Sequence, residues 1–463
     1  MYWITDFGGV EGAADNSAAF AAAGDVLRAA GGGTLALGPG VWRTGPVELF
    51  SGTTLVLEAG AVLSFIPDME RYPPVRTRWE GVECYAMHPC VFSRGQRDVA
   101  VTAGTAGAGR IEGNGAYWWA LAREKNGRGA RLGAPSDGAA AGGGPAFGIE
   151  RRLAALNPGY RQEQGGGGGR GSQFLRPPLV QFLDCERVRL EGVTLADAPF
   201  WTVHPLYCRD VTLSRLTICN PHDAPNTDGI DIDSCSGVLI EHCVINVGDD
   251  GIALKAGSGP DGLRVGKPTS GVRVEHCTVG DGHGGIVIGS ETAGGVFDVR
   301  VSDCVFKGTD RGVRIKTRRG RGGVIRDLDF RDIVMEGTLC PLVINMYYRC
   351  GAVLEDGWFS LARQPVNAET PEIRNVTVRN IRASGCRSSA GFIAGLPESP
   401  VRNLSITDCF FSTDEESPAA AAESDMYLGI PDVRTKAFRI LNAENPRFEN
   451  CRIEGPPTPF ISE

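Results

Sequence analysis

The sequence predicts an all-β chain wound as a right-handed parallel β-helix, a solenoid with a capping helix at its N-terminal end. Three observations carry this. A strand pattern recurs at residues 188–195, 211–218, 238–245, 272–279 and 299–306, with weaker copies beginning at Leu328, Val376 and Leu404. The steps between starts are 23, 27, 34, 27, 29, 48 and 28 residues, a spacing that marks stacked repeats. A second strand type alternates apolar with variable residues: Gly229-Ile230-Asp231-Ile232-Asp233, Gly251-Ile252-Ala253-Leu254-Lys255, Gly285-Ile286-Val287-Ile288-Gly289, Gly312-Val313-Arg314-Ile315-Lys316 and Pro341-Leu342-Val343-Ile344-Asn345. That is the period of a strand with one buried face. The 3.6-residue period of a helical solenoid is absent from these repeats.

Each element follows in order. Residues 1–50 read as a cap and first coil, with Asp15-Asn16-Ser17 starting a helix that runs to about Ala30 and turns Phe20, Val26 and Leu27 inward. Such a helix covers the open apolar end of the first coil. Segments 33–42 and 53–65 are the early coils. Residues 123–176, with Gly142-Gly143-Gly144 and the run from Gly165 to Gly169, interrupt the pattern as a long glycine-rich loop. The acidic, alanine-rich stretch 412–425 reads as a solvated surface loop. Because each repeat contacts only its neighbours, all 463 residues fit a single domain.

Composition narrows the function. A net charge of −8 argues against nucleic acid or anionic membrane as partner. No stretch has the length and hydropathy of a membrane span. The start, Met1-Tyr2-Trp3-Ile4-Thr5-Asp6, has neither the basic nor the apolar region of a secretory signal, so the expected location is cytoplasmic. Of the fourteen cysteines, Cys243, Cys277, Cys304 and Cys409 occupy a repeat position that holds Val193, Leu216, Ile333 and Ile381 in other copies. They read as small apolar residues of an inward stack. No pair has the CxxC spacing of a metal site, and no cofactor or metal is expected.

Chemistry enters when the five short segments are stacked as rungs about 5 Å apart. One column then holds Asp228 above Asp250, and the column before it holds Asp249 above His283. Taken singly, Asn226-Thr227-Asp228-Gly229 and Gly248-Asp249-Asp250-Gly251 are good turn sequences. Their coincidence in adjacent rungs points instead to acid–base work, since carboxylates this close push one another's pKa apart. Arg314 and Lys316 project from the same face, and Lys255 shares a column with Lys316. Arg311, Arg314, Lys316, Arg318, Arg319 and Arg321 place six cations in eleven residues of an acidic chain. Arginine and lysine suit a carboxylate-bearing substrate. His242 and His276 share a repeat position and read as turn-ladder residues, while His204 and His222 precede the acidic rungs as weaker candidates for substrate contact.

The ordered set Asn226-Thr227-Asp228, Asp249-Asp250, Gly282-His283-Gly284 and Arg314-Ile315-Lys316 resembles the polygalacturonase family of glycoside hydrolases, family 28. The resemblance extends from Asp6-Phe7-Gly8 to about Cys409. It implies metal-free hydrolysis of α-1,4-galacturonide bonds with inversion. Asp249 would then be the general acid, Asp228 and Asp250 would hold the attacking water, and His283 would tune Asp249. Arg314, Lys316 and Tyr348 (with Tyr347 as the alternative tyrosine) would bind the uronate, joined by Asn226 and Lys255. A separation near 5 Å would by itself suit a retaining pair; the resemblance implies inversion. The segments 251–255, 286–291, 314–322 and 176–182 are similar to the bacterial exo-acting subgroup, which adds Glu291 to the substrate-binding set and makes a pectic oligosaccharide the expected partner. Rival readings are a hydrolase of rhamnogalacturonan, xylogalacturonan or unsaturated oligogalacturonides, a calcium-dependent β-helical lyase, and a non-catalytic carbohydrate-binding β-helix. Oligomeric state is not encoded in these patterns.

Overall fold

The computed structural model describes residues 1–105, 107–127, 148–157, 176–350, 352 and 357–462. Their contacts form two compact units. One takes the described residues of 1–79, 83–163 and 170–249, the other 80–82 and the described residues of 250–463.

The first unit is built from three columns of parallel strands. One column runs Gly33–Leu37, Thr53–Leu57, Arg97–Ala103, Glu186–Glu191, Arg209–Ser214 and Ser236–Glu241. A second runs Gly40–Thr44, Ala61–Phe65, Arg110–Glu112, Thr194–Ala196, Thr217–Cys219 and Val244–Asn246. The third, which leads to the acidic residues, runs Val47–Glu48, Val91–Arg94, Val180–Leu183, Val203–Leu206 and Ile230–Asp233.

The second unit repeats the scheme with longer strands. Thr269–Glu275, Val296–Lys307, Val324–Glu336, Glu372–Cys386 and Val401–Thr407 pair in succession. Beside them run Asp250–Lys255, Gly284–Gly289, Arg311–Lys316, Cys340–Asn345, Gly391–Ala394, Phe438–Leu441 and Phe460–Ser462. These are the coils of the right-handed parallel β-helix read from the sequence.

The register follows the repeat. Val188 pairs with Val211 and Val211 with Val238; Val272, Val299, Leu328, Val376 and Leu404 form another such line. Ile252 faces Ile286, Ile286 faces Val313 and Val313 faces Leu342. Cys243, Cys277, Cys304 and Cys409 are buried, and Cys304 pairs with Ile333. Between strands the chain turns through single residues in the left-handed region. His242 (φ 54°) and His276 (φ 55°) are two of them, as their shared repeat position suggested. Asn380 and Asp332 are others, and the Asn380 amide donates to Asp332 at 2.6 Å. Asparagine, aspartate and histidine tolerate this conformation better than most residues.

Two differences from the sequence reading have local causes. The capping helix spans Ser17–Ala29 and buries Ala19, Phe20, Ala23 and Leu27, whereas Val26 is exposed. Phe20, Ala23 and Leu27 lie on one stripe at spacings of three and four, and Val26 falls off it. The stretch expected as one long loop contains helical residues on either side. Helix Gly115–Gly127 buries Trp118 and Trp119, and helix Gly148–Leu156 buries Ile149 and Leu153, four residues apart. The glycine runs of that stretch fall outside the described residues.

The glycines that open two rungs are required by packing. A Cβ at Gly285 would sit 2.6 Å from ring atoms of Phe306, and one at Gly312 would sit 2.2 Å from Met335 Sδ. Gly285→Ala should therefore destabilise the protein by about 1–3 kcal/mol, the usual cost of overpacking a filled interior. Denaturant titration gives the check, and an unchanged midpoint would refute the packing argument.

Candidate active site

Within the first unit, a single threonine joins the two loops that bear acidic residues. Thr227 Oγ1 donates to the Ala224 carbonyl at 3.0 Å and accepts from the Gly248 amide at 3.3 Å. Asn220 donates to the Thr227 carbonyl (3.4 Å) and to Thr202 Oγ1 (2.9 Å), while the Thr202 amide donates to the Asp228 carbonyl at 2.9 Å. Gly248 approaches so closely that a Cβ there would lie 2.3 Å from the Ala224 carbonyl oxygen. Pinned this way, Asp228 and Asp249 bring carboxylate oxygens within 4.8 Å of each other. Asp228 is buried. Asn226 sits at φ 55° and its side-chain oxygen accepts from Arg176 at 2.8 Å. Asp250 follows as the next residue in the chain and begins the second unit.

The second unit holds the cations. Lys316 Nζ donates to Asp250 Oδ2 at 2.6 Å, and Arg314 Nη1 stands 3.5 Å from Asp250 Oδ1. The Tyr348 ring lies 5.4 Å from the Arg314 guanidinium carbon and 5.3 Å from Lys316 Nζ. This favours Tyr348 over Tyr347, whose ring lies 5.9 Å from Arg319. Lys255 is 3.4 Å from Glu291, and both are buried. Burial alone would raise the Glu291 pKa, but the charges of Lys255, Arg321 and Lys316 leave it lowered. Gly284 pairs with Asp250 in the parallel ladder, and half-buried His283 precedes it.

One member of this cluster escaped the sequence reading. Asp425, expected in a solvated loop, has a fully buried carboxylate. It accepts from Arg314 Nη2 at 2.5 Å and from Asn345 Nδ2 at 2.8 Å, and lies 3.5 Å from Arg311 Nε. Arg311 also donates to the carbonyls of Ser424 (3.0 Å) and Glu423 (2.8 Å), capping the short helix Ala421–Ser424. Burial pushes the Asp425 carboxyl up, yet the charges of Arg314 and Arg311 and the Asn345 bond hold it at about 2. Burial tends to lower the Arg314 pKa, and the charges of Asp425, Tyr348 and Asp250 raise it instead. The remaining cations of that run are also buried; Arg319, for example, pairs with Glu398 at 2.5 Å.

A wall over the strands of the first unit also went unread. Strands Pro74–Trp79 and Val82–Met87 form a hairpin. Thr77 donates to Gln181 at 3.0 Å, Arg78 donates to Asp233 at 2.7 Å and to Ser234 at 2.8 Å, and Trp79 stacks on Phe200 at 4.7 Å. Gln181, His204, Asp231 and Asp233, all on the outward face by alternation, are buried. His204 bonds Gln181 at 2.8 Å and is fully buried, which removes it as a candidate for substrate contact; His222 is exposed. Helix Gly148–Leu156 is held nearby by Glu70, which accepts from the Ile149 amide at 3.0 Å and from Arg152 at 2.6 Å.

For a cation, Asp228 and Asp249 of the first unit offer only hard carboxylate oxygens. The Lys316 ammonium already occupies Asp250 Oδ2.

The columns of parallel strands in both units define a right-handed β-helical protein. Residues 162–417 match the model of glycosyl hydrolases family 28, and the chain belongs to that family. It is a glycoside hydrolase of the polygalacturonase type. A probable polygalacturonase of Vitis vinifera is 28% identical over 88% of the chain and 73% of that protein. An endo-polygalacturonase of Pectobacterium carotovorum is 30% identical over 42% of the chain and 46% of its own length. Among solved structures, an exopolygalacturonase of Thermotoga maritima is 31% identical, with a TM-score of 0.73 over 90% of this chain and 88% of that one.

Burial pushes the Asp233 carboxyl up, but Arg78 and His204 bring it down to about 2. A depressed carboxylate contributes stability that is present above its unfolded pKa near 4 and lost as pH falls through 2. Asp233→Asn should remove on the order of 2 kcal/mol at neutral pH and flatten the loss of stability between pH 4 and 2. Equal slopes for variant and parent in pH-dependent denaturation would rule this out.

Proposed function

We propose that the protein is an exo-acting polygalacturonase that releases galacturonate units from oligogalacturonide chains with inversion of configuration. The covered outward face of the first unit carries this reading. Along Val180–Leu183 and Ile230–Asp233, the outward residues Gln181 and Asp233 are buried and held by Thr77 and Arg78 of the hairpin. A cover over those strands suits a substrate presented by its chain end better than a long polymer laid across them. The Thermotoga maritima exopolygalacturonase supports the same choice.

In this reading Asp249 protonates the departing glycosidic oxygen. Asp228 and Asp250 accept the proton of the water that attacks the anomeric carbon from the opposite side. His283 tunes Asp249. Arg314 and Lys316, backed by the Tyr348 ring, supply positive potential for the uronate carboxylate. Asn226, Lys255 and Glu291 complete the sugar-binding set, with Lys255 and Glu291 each holding the other in place. The cations already neutralise Asp250, so a second anion, the substrate, binds there at lower electrostatic cost. A cytoplasmic enzyme of this kind would act on imported oligogalacturonides.

Three measurements test the reading. On a defined galacturonate oligomer, the first product should be monomer alone; mixed sizes from the earliest time points would make the enzyme endo-acting. NMR of that product should show the β anomer first, and an initial α anomer would overturn inversion. Asp249→Asn should lower kcat by about 10²–10⁴-fold, the usual share of general-acid catalysis, with the melting temperature little changed.

A further inference from the structure

We propose that Arg176 is a positioning residue that fixes the Asn226 side chain as a hydrogen-bond donor toward the sugar. This role rests on the proposed function, in which Asn226 belongs to the sugar-binding set.

Arg176 is 3% exposed, and its guanidinium reaches three acceptors of the first unit. Nη1 donates to the carbonyls of Pro199 and Pro225, each at 3.0 Å. Nη2 donates to Asn226 Oδ1 at 2.8 Å. The two carbonyls come from different loops, and together they set the direction of the planar fork and so of Nη2. The Phe200 ring lies 5.2 Å from the guanidinium carbon. Phe200 is itself stacked on Trp79 at 4.7 Å and on Trp201 at 5.0 Å, which gives the arginine a rigid apolar backing.

An arginine carries donors only, so the Asn226 amide must turn its oxygen toward Arg176. The Nδ2 group then takes the other branch of the amide, where it can donate but not accept. Asn226 is half-buried, and the bond from Arg176 is the one hydrogen bond its side chain makes among the described residues. Its backbone is fixed as well, at φ 55°, a left-handed conformation that asparagine tolerates better than most residues. Arg176 holds the carbonyl before Asn226, and Thr227 after it is tied to Ala224 and Gly248. A donor set in place before the substrate arrives loses little freedom on binding. The sugar atom that meets it must be an acceptor, a hydroxyl or carboxylate oxygen, and an ammonium there would be refused.

A kinetic cycle on trigalacturonate tests the proposal, using Arg176→Lys, Asn226→Ala and the double variant. Lysine keeps the charge but lacks the planar fork. Arg176→Lys should raise KM about 3- to 10-fold, the range for one neutral hydrogen bond, with kcat within about threefold of the parent. Asn226→Ala should do the same, and in that background Arg176→Lys should add less than about twofold. Equal losses in both backgrounds would mean that Arg176 supports the loops without acting through Asn226, and would overturn the proposal. Parental KM in Arg176→Lys beside an impaired Asn226→Ala would also overturn it, while leaving the proposed function intact. Parental KM in Asn226→Ala would remove Asn226 from the sugar-binding set and the proposal with it. A parent that releases nothing from trigalacturonate would instead bring down the proposed function itself, and the role of Arg176 with it. Should Arg176→Lys fail to fold, Asn226→Asp keeps the oxygen that Arg176 holds and removes the donor. Its KM should rise at least as far as that of Asn226→Ala, and a parental KM there would overturn the proposal.

Discussion

The register of the parallel ladder is the constraint from which the rest of the structure follows. Side chains alternate between two faces, so a slip of one residue would exchange core for surface along a whole rung. With Ile286 held against Val313 and Val313 against Leu342, Arg314 and Lys316 have no choice but to face outward. The left-handed turn residues keep that count. Each spends one position in a conformation few side chains accept, and ladders such as Asn380 on Asp332 and Asn403 on Asn375 tie successive turns together. Glycines 285 and 312 then let the rungs meet the inward side chains of Phe306 and Met335.

On this frame the chain distributes charge unevenly. Its net charge is −8, yet the six cations from Arg311 to Lys316 and on to Arg321 are all buried. Burial at that density is tolerable only because each is given acceptors: Asp250 and Asp425 for Arg314, Glu398 for Arg319, and the Ser258 hydroxyl for Arg321. Such pairs are a poor route to stability by themselves, because desolvation consumes most of the attraction. Their value here is geometric. They fix where positive potential stands relative to Asp250.

Much of this was legible beforehand, and the boundary between read and unread is physical. Repeats gave away the coils because each copy solves the same packing problem, so Val188, Val211 and Val238 recur in step. The acidic motifs were legible because Asp228, Asp249 and Asp250 sit in short segments whose spacing matches the coil. Asp425 was not, because its partners are Arg314 and Asn345, 111 and 80 residues away, and its neighbours Ala421–Ser424 carry no alternation. The hairpin wall was missed for a related reason. Its contacts, Thr77 with Gln181 and Arg78 with Asp233, span 104 and 155 residues and belong to no repeat. Val26 was misplaced because apolar character alone does not say which residues share a helical stripe.

Asp425 also gives the molecule a temporal order. Asp250 and Asp425 are separated by 175 positions along the chain (425 − 250), with Arg314 between them. At synthesis rates of about 5–20 residues per second, roughly 10–35 s pass between the emergence of Asp250 and that of Asp425. From the emergence of Lys316 until that of Asp425, the nascent chain holds Asp250, Arg314 and Lys316 without the Asp425 carboxylate. The coils can stack as they emerge, since each needs only its predecessor. The full set of buried ion pairs, by contrast, is completed only near the end of translation.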